Sequence, residues 1–291
     1  VLVNGLEYIG AGYGSAYNAI ISGNSATLSA NVTGNNFVGG LAGYIGQSLI
    51  YNTNTYQAVS TTAKVINSTH TNANIAPATG DVGGLAGWMD GVAATNLSSN
   101  VPVNGTTKVG GLIGLYNSNY APSNANVTNY LGTLLTASGA VTASGQYAGG
   151  LIGQYSFANS SSFTTEVTNL SYSSATGNVT GANSYVGGLI GGASGWVFDH
   201  LSATTGTVSQ TAGNYAGGLI GSLNYYYNPY NGVNYGGKLT NSSATVNVTG
   251  SASGYTGGLV GNSVGTSIAN SNATGNVTGS GSYVGGLVGY N

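Results

Sequence analysis

One pentapeptide, Gly-Gly-Leu-x-Gly, recurs eight times, starting at Gly39, Gly83, Gly110, Gly149, Gly187, Gly217, Gly257 and Gly285. Successive copies are 44, 27, 39, 38, 30, 40 and 28 residues apart. The chain is therefore built from a unit of about 28 residues, lengthened by insertions in several copies. A second block precedes the pentapeptide, as in Asn272-Ala-Thr-Gly-Asn-Val-Thr-Gly279 and Ala175-Thr-Gly-Asn-Val-Thr-Gly181. Between these blocks lie short segments rich in Val, Thr, Ile and Tyr, bounded by Gly, Asn and Ser, which is the signature of strands. No window carries the 3.6-residue period of an amphipathic helix. One such unit cannot bury its own apolar side chains, but a stack of them, like residue over like, buries a continuous core. The expected fold is all-β, a β-solenoid of about eight rungs spanning 25–291, with 1–24 as an N-terminal strand, cap or assembly segment.

Composition narrows the function. Only 3% of the 291 residues are charged, three Lys and five Asp or Glu, against roughly 25% in an ordinary soluble domain. Arg is absent and the net charge is −2, which removes the electrostatic footprint of a nucleic-acid binder. The absence of Cys excludes disulfide scaffolds, thiolate metal sites and cysteine nucleophiles. No run of about 18 apolar residues is present, so no membrane-spanning helix is expected. A nearly uncharged surface of Asn, Thr, Ser and Tyr suits an extracellular or cell-surface protein, and the polar start at Val1 suggests a mature form whose leader has been removed.

Residues 273–289, Ala-Thr-Gly-Asn-Val-Thr-Gly followed by Gly-Gly-Leu-Val-Gly, resemble the GLUG-motif repeat. The resemblance extends over roughly 25–291. It implies a repeat region of a large surface or secreted protein, such as an adhesin, and brings no catalytic residue with it. The His-Glu-x-x-His motif of the peptidases that carry such repeats is missing.

Individual positions take meaning from the repeat. Leu41, Leu85, Leu112, Leu151, Leu189, Leu219, Leu259 and Leu287 should form one core column, each worth roughly 1.5–3 kcal/mol when fully buried. The flanking glycines permit a tight bend or close sheet packing. Two residues before each glycine pair stands an aromatic ring in six copies: Phe37, Tyr147, Tyr185, Tyr215, Tyr255 and Tyr283. Such a column stacks as a ladder or lines a sugar-binding strip. Asp81 and Lys108 replace the ring in consecutive copies, so an ion pair bridging two rungs is expected. Val32, Val179, Val248 and Val277 alternate with Asn and Thr, placing Val inward. Twelve Asn-x-Ser/Thr triplets, at Asn31, Asn67, Asn96, Asn104, Asn126, Asn159, Asn169, Asn178, Asn241, Asn247, Asn272 and Asn276, are either glycan acceptors or members of an Asn/Thr ladder.

Chemistry is sparse. Glu7, Asp81, Asp90, Glu166, Asp199, Lys64, Lys108, Lys238, His70 and His200 are spread over different units, and Asp199-His200 would face opposite ways unless it sits in a turn. No enzyme, cofactor or metal site is expected. The insertions 44–66, 115–137, 154–170 and 222–237 should project, the last either offering Tyr225, Tyr226, Tyr227, Tyr230 and Tyr235 as contact residues or folding those rings onto the solenoid. The closing unit matches the consensus best and carries no cap, leaving Leu287 and Val288 as an open edge. The N-terminal Val1, Leu2 and Val3 are the expected complement. Self-association, head to tail, into an extracellular filament or surface layer is the leading expectation. The alternative is an adhesin stalk, or a segment binding glycans or proteins on other surfaces.

Overall fold

Segments of two to seven residues separated by glycine cannot satisfy their backbone groups alone, so each pairs with its counterpart in the next copy. A computed structural model of the chain describes residues 3–17, 19–22, 32–46, 49–51, 65–67, 80–117, 132–156, 168–195, 197–228 and 232–291. Among these, every regular element is a strand, and all pairings but one hairpin are parallel. The molecule is a β-solenoid with four faces.

Three faces are sheets of nine strands. The first runs from Val3–Asn4 to Val277–Thr278, the second from Glu7–Gly10 to Tyr283–Gly285, and the third from Tyr13–Tyr17 to Val288–Tyr290. The nine layers exceed the motif count by one. Gly10-Ala-Gly-Tyr-Gly14 occupies the motif's place in the first layer, with Gly12 where Leu stands elsewhere, so the pattern escapes notice there. Within segment 1–24, Val3 pairs with Val32, Ile9 with Val38 and Ile20 with Leu49.

The fourth face divides. Ala93–Ser99 and Gly132–Ala137 are continuous strands. Later layers split the same path into two short strands, such as Val197–Asp199 and Ser202–Ala203. The division lies at a bend where Asn96, Leu134, Tyr172, His200, Asn241 and Asn270 all take left-handed φ, between 46° and 59°. Past this bend Ser173, Ser242 and Ser271 each donate a side-chain bond to the carbonyl two residues back. Each also accepts a backbone N–H from a neighbouring layer, at 3.0–3.1 Å. These serines satisfy donors that the interrupted ladder leaves over.

The interior is filled by identical residues in register. Valine stands at the same place of the first face in all nine layers: Val3, Val32, Val65, Val103, Val141, Val179, Val208, Val248 and Val277. The leucine column is buried from Leu41 to Leu259, and each leucine carbonyl accepts two N–H groups from the layer before, as Leu85 does from Leu41 and Ala42 at 2.9 and 3.0 Å. The glycine pair makes the corner between the second and third faces. A Cβ on Gly110 would lie 1.9 Å from the Ile113 carbonyl oxygen, and one on Gly111 would lie 2.1 Å from the Gly150 oxygen and 2.9 Å from Ala137 Cβ. The first glycine thus allows the turn, and the second lets the fourth face close over it.

The expected insertions are shorter than their sequence bounds. Tyr44 to Gly46, Leu115 to Asn117, Gly132 to Ala137, Gln154 to Ser156 and Ser222 to Asn224 are solenoid strands, since their alternating apolar residues are needed to complete the third and fourth faces. The excursion that remains described, after Asn224, is an antiparallel hairpin pairing Tyr226–Asn228 with Val233–Tyr235.

Candidate binding groove

Along the outside of the second and third faces two columns of side chains meet. The first column is the aromatic position: Tyr8, Phe37, Asp81, Lys108, Tyr147, Tyr185, Tyr215, Tyr255 and Tyr283. From Tyr147 onward the rings touch layer on layer, with centroids 4.5, 5.0, 5.5 and 4.9 Å apart, passing from parallel at Tyr147–Tyr185 to edge-on at Tyr255–Tyr283. Burial and the neighbouring Tyr185 push the Tyr147 phenol up to about 12. The second column is the residue after the motif's last glycine: Tyr44, Trp88, Leu115, Gln154, Gly192, Ser222, Asn262 and Tyr290. It is the variable position of an otherwise constant motif, and that variability was the sequence signal for a surface column; the sequence reading missed it.

In the second, third and ninth layers this second column is aromatic and closes the groove. Phe37 packs on Trp88 at 5.2 Å, Tyr44 on Trp88 at 4.9 Å, and Tyr255 on Tyr290 at 5.0 Å. In the middle it turns small and polar. Gly192 has no side chain, Tyr147 leans over it, and beside it lies a hollow of about 150 Å³ lined by Tyr147, Tyr185, Gln154, Ser194, Ser222 and Asn224. Its far wall is a closed hydrogen-bond network. Asn262 Nδ2 donates to Ser222 Oγ at 3.1 Å and to Asn224 Oδ1 at 2.9 Å, and Asn224 Nδ2 donates to Ser222 Oγ at 3.0 Å. Ser222 and Asn262 are 1% and 5% exposed, so their geometry is locked.

A second hollow, of about 410 Å³, lies outside the divided face between Ser98, Asn100, Thr136, Ser138, Ser174 and Thr176. Its one buried hydroxyl, Ser99 Oγ, sits against Gly84 in the core instead.

The residues singled out from sequence fall as follows. Asp81 and Lys108 are register partners, and Lys108 Nζ donates to both Asp81 oxygens, at 2.9 and 3.1 Å. Asp81 is 1% exposed, and burial pushes its carboxyl up to about 6 while Lys108 pulls it back. Asp199 and His200 do come together, at 2.7 Å, because the left-handed bend at His200 turns the imidazole back onto the carboxylate. Burial alone would raise Asp199; hydrogen bonds from Thr240, Asn241 and His200 outweigh it and hold the carboxyl below its ordinary range. Tyr172 stacks on His200 at 4.6 Å. Among the described residues no three His, Asp or Glu side chains cluster as a metal site.

In the hairpin, Tyr226 folds over Gly195, whereas Tyr225 and Tyr227 stay exposed and Tyr235 is half-buried. Tyr230 lies outside the described residues, as do Lys64, His70 and Glu166. Val1 and Leu2 are also outside them; Val3 belongs to the first layer, Leu287 and Val288 to the ninth. Of the triplet asparagines, Asn31, Asn126 and Asn159 lie outside the described residues, and so do the side chains of Asn67 and Asn169. Asn96, Asn178, Asn241, Asn247, Asn272 and Asn276 are exposed, and Asn104 is half-buried. Two of them form ladder bonds: Asn178 Oδ1 accepts the Thr207 N–H and Asn247 Oδ1 the Asn276 N–H, both at 2.9 Å.

The family model of the GLUG motif matches residues 252–278. That stretch, which carries the GLUG motif, is one full turn of the solenoid, from the second face round to the first. No curated protein and no solved structure matches it.

Proposed function

We propose that this chain is a non-catalytic rod segment of an adhesin-like protein at the cell surface, holding other parts of that protein away from the surface. The observation that carries the proposal is the unbroken register of three nine-strand faces, whose strands all pair between layers. At about 4.8 Å per layer the rod is about 40 Å long. The GLUG motif, a repeat of surface and adhesin-like proteins, supports the location. The scattered charges support a structural role: Asp81 is spent on Lys108, and Asp199 on His200, Thr240 and Asn241. Among the described residues no helix is long and apolar enough to cross a membrane.

Head-to-tail association into a filament is the second reading, since parallel layers pair through backbone groups that need no charge. Small-angle scattering over a concentration series separates the two. A single rod keeps one constant mass and shape, and a filament grows in mass with concentration. The scattering profile of an unfolded chain at every concentration overturns both.

Glycans on the exposed triplet asparagines would add to the solubility of so uncharged a surface. Intact mass above the 28.7 kDa of the bare chain, in material from its natural source, is the expected result. A bare mass removes glycosylation from the account.

A further inference from the structure

We propose that the hollow beside Gly192 binds one pyranose unit of an uncharged glycan, a binding activity beyond the role of a rod. Several independent features converge there. The hollow's volume, about 150 Å³, corresponds to about five waters of bulk liquid, which is the scale of a single sugar ring. It exists because the second column loses its side chain at Gly192, between Gln154 and Ser222. None of the side chains lining it is charged, which disfavours phosphate, sulfate and acidic sugars.

The two walls differ. Tyr147 and Tyr185, parallel within 8° and 4.5 Å apart, cover each other's faces and turn a rigid pair of ring edges toward Gly192 and the hollow. Opposite them, Ser222 Oγ already accepts bonds from Asn224 and Asn262, so its own proton remains to be donated. Asn224 keeps a second amide proton, and the Gln154 amide flanks the other side. These groups are held in place before any ligand arrives, so little entropy is lost on binding. An enclosed polar network of this kind discriminates by leaving its own groups unpaired when a ligand lacks the matching hydroxyls.

Titration calorimetry of the full chain with cellohexaose, mannohexaose, maltohexaose and chitohexaose, and with hexagalacturonate as the acidic control, tests this. The proposal expects saturable binding of at least one neutral hexasaccharide and none of the acidic one. Asn224→Ala should weaken that binding about tenfold, the scale of one or two lost hydrogen bonds. Gly192→Leu, which fills the hollow, should abolish it. Because Gly192→Leu presses on Tyr147 and Asn224→Ala takes a partner from buried Asn262, each variant is assayed below its own melting temperature, and a folded Asn224→Ala keeps the test independent of folding. No binding of any of the four neutral sugars, equal binding of the acidic one, or wild-type affinity in Asn224→Ala would each overturn the proposal. None of those outcomes touches the rod itself, which is judged by its shape in solution.

Discussion

Thr256 fills a buried place where Val38, Val82, Val109 and Val186 stand in other layers, and its hydroxyl has no hydrogen-bond partner. Thr256→Val keeps the shape and removes a stranded polar group, so it should stabilise the chain by about 1 kcal/mol, read as a higher melting temperature. Asp81 behaves differently because it titrates. Its native pKa of about 6 lies above the ordinary 3.8, so the folded chain holds that proton more tightly than the unfolded one. Its contribution to stability is therefore full below pH 4, falls as pH rises from about 4 to about 6, and is flat above. The fall is worth up to about 3 kcal/mol. Denaturation across that window should show the decline in the parent and lose it in Asp81→Asn; an unchanged profile would show that Asp81 is not the titrating group. The Asp81–Lys108 contact was legible in sequence because both residues occupy the ring position of consecutive units. The polar wall of the groove was not, since Gln154, Ser222 and Asn262 look like random variation until the register stacks them.

At the scale of elements, the bend in the fourth face is where backbone conformation and side-chain choice conflict. Asn occupies the left-handed position at Asn96, Asn241 and Asn270, as its local hydrogen bonding favours, but Leu134 takes φ 59° and is exposed. Leu134→Asn should relieve strain of about 1 kcal/mol and raise the melting temperature without altering the core. A lower melting temperature would mean that the Leu134 side chain contributes more than its backbone costs. This column was invisible in the sequence because Tyr172 and His200 share no chemistry with Asn; only the shared φ unites them. The leucine and valine columns were easier. An identical Leu in every motif declares itself, whereas Val65, Val103, Val141 and Val208 lack the Asn-Val-Thr context that marks Val32 and Val179. The widths of the insertions could not be read either, because strands such as Gly132–Ala137 sit at their edges without a motif. The tyrosine hairpin divides its rings between support and exposure. Tyr226→Ala should loosen the hairpin over Gly195, seen as faster amide exchange at 226–228, while Tyr227→Ala should leave exchange unchanged.

For the whole molecule, the repeat implies a stack whose length is set by the number of layers and whose surface is set by what each layer adds to the columns. The rod and the groove depend on that same stacking, since the polar wall exists only if Ser222 and Asn262 lie in adjacent layers. Glu7, Gln146 and Ser282 each precede the aromatic column, in the first, fifth and ninth layers, and all three are exposed. The chain has no cysteine, so spin labels can be placed on cysteines introduced at any two of these positions. Pulsed electron–electron resonance should give backbone-scale separations of about 19 Å for the pairs 7/146 and 146/282 and about 38 Å for 7/282, at about 4.8 Å per layer. The longest distance should equal the sum of the other two. Three distances that do not add along one line, or a 7/282 separation as short as either half, would contradict the stacked rod.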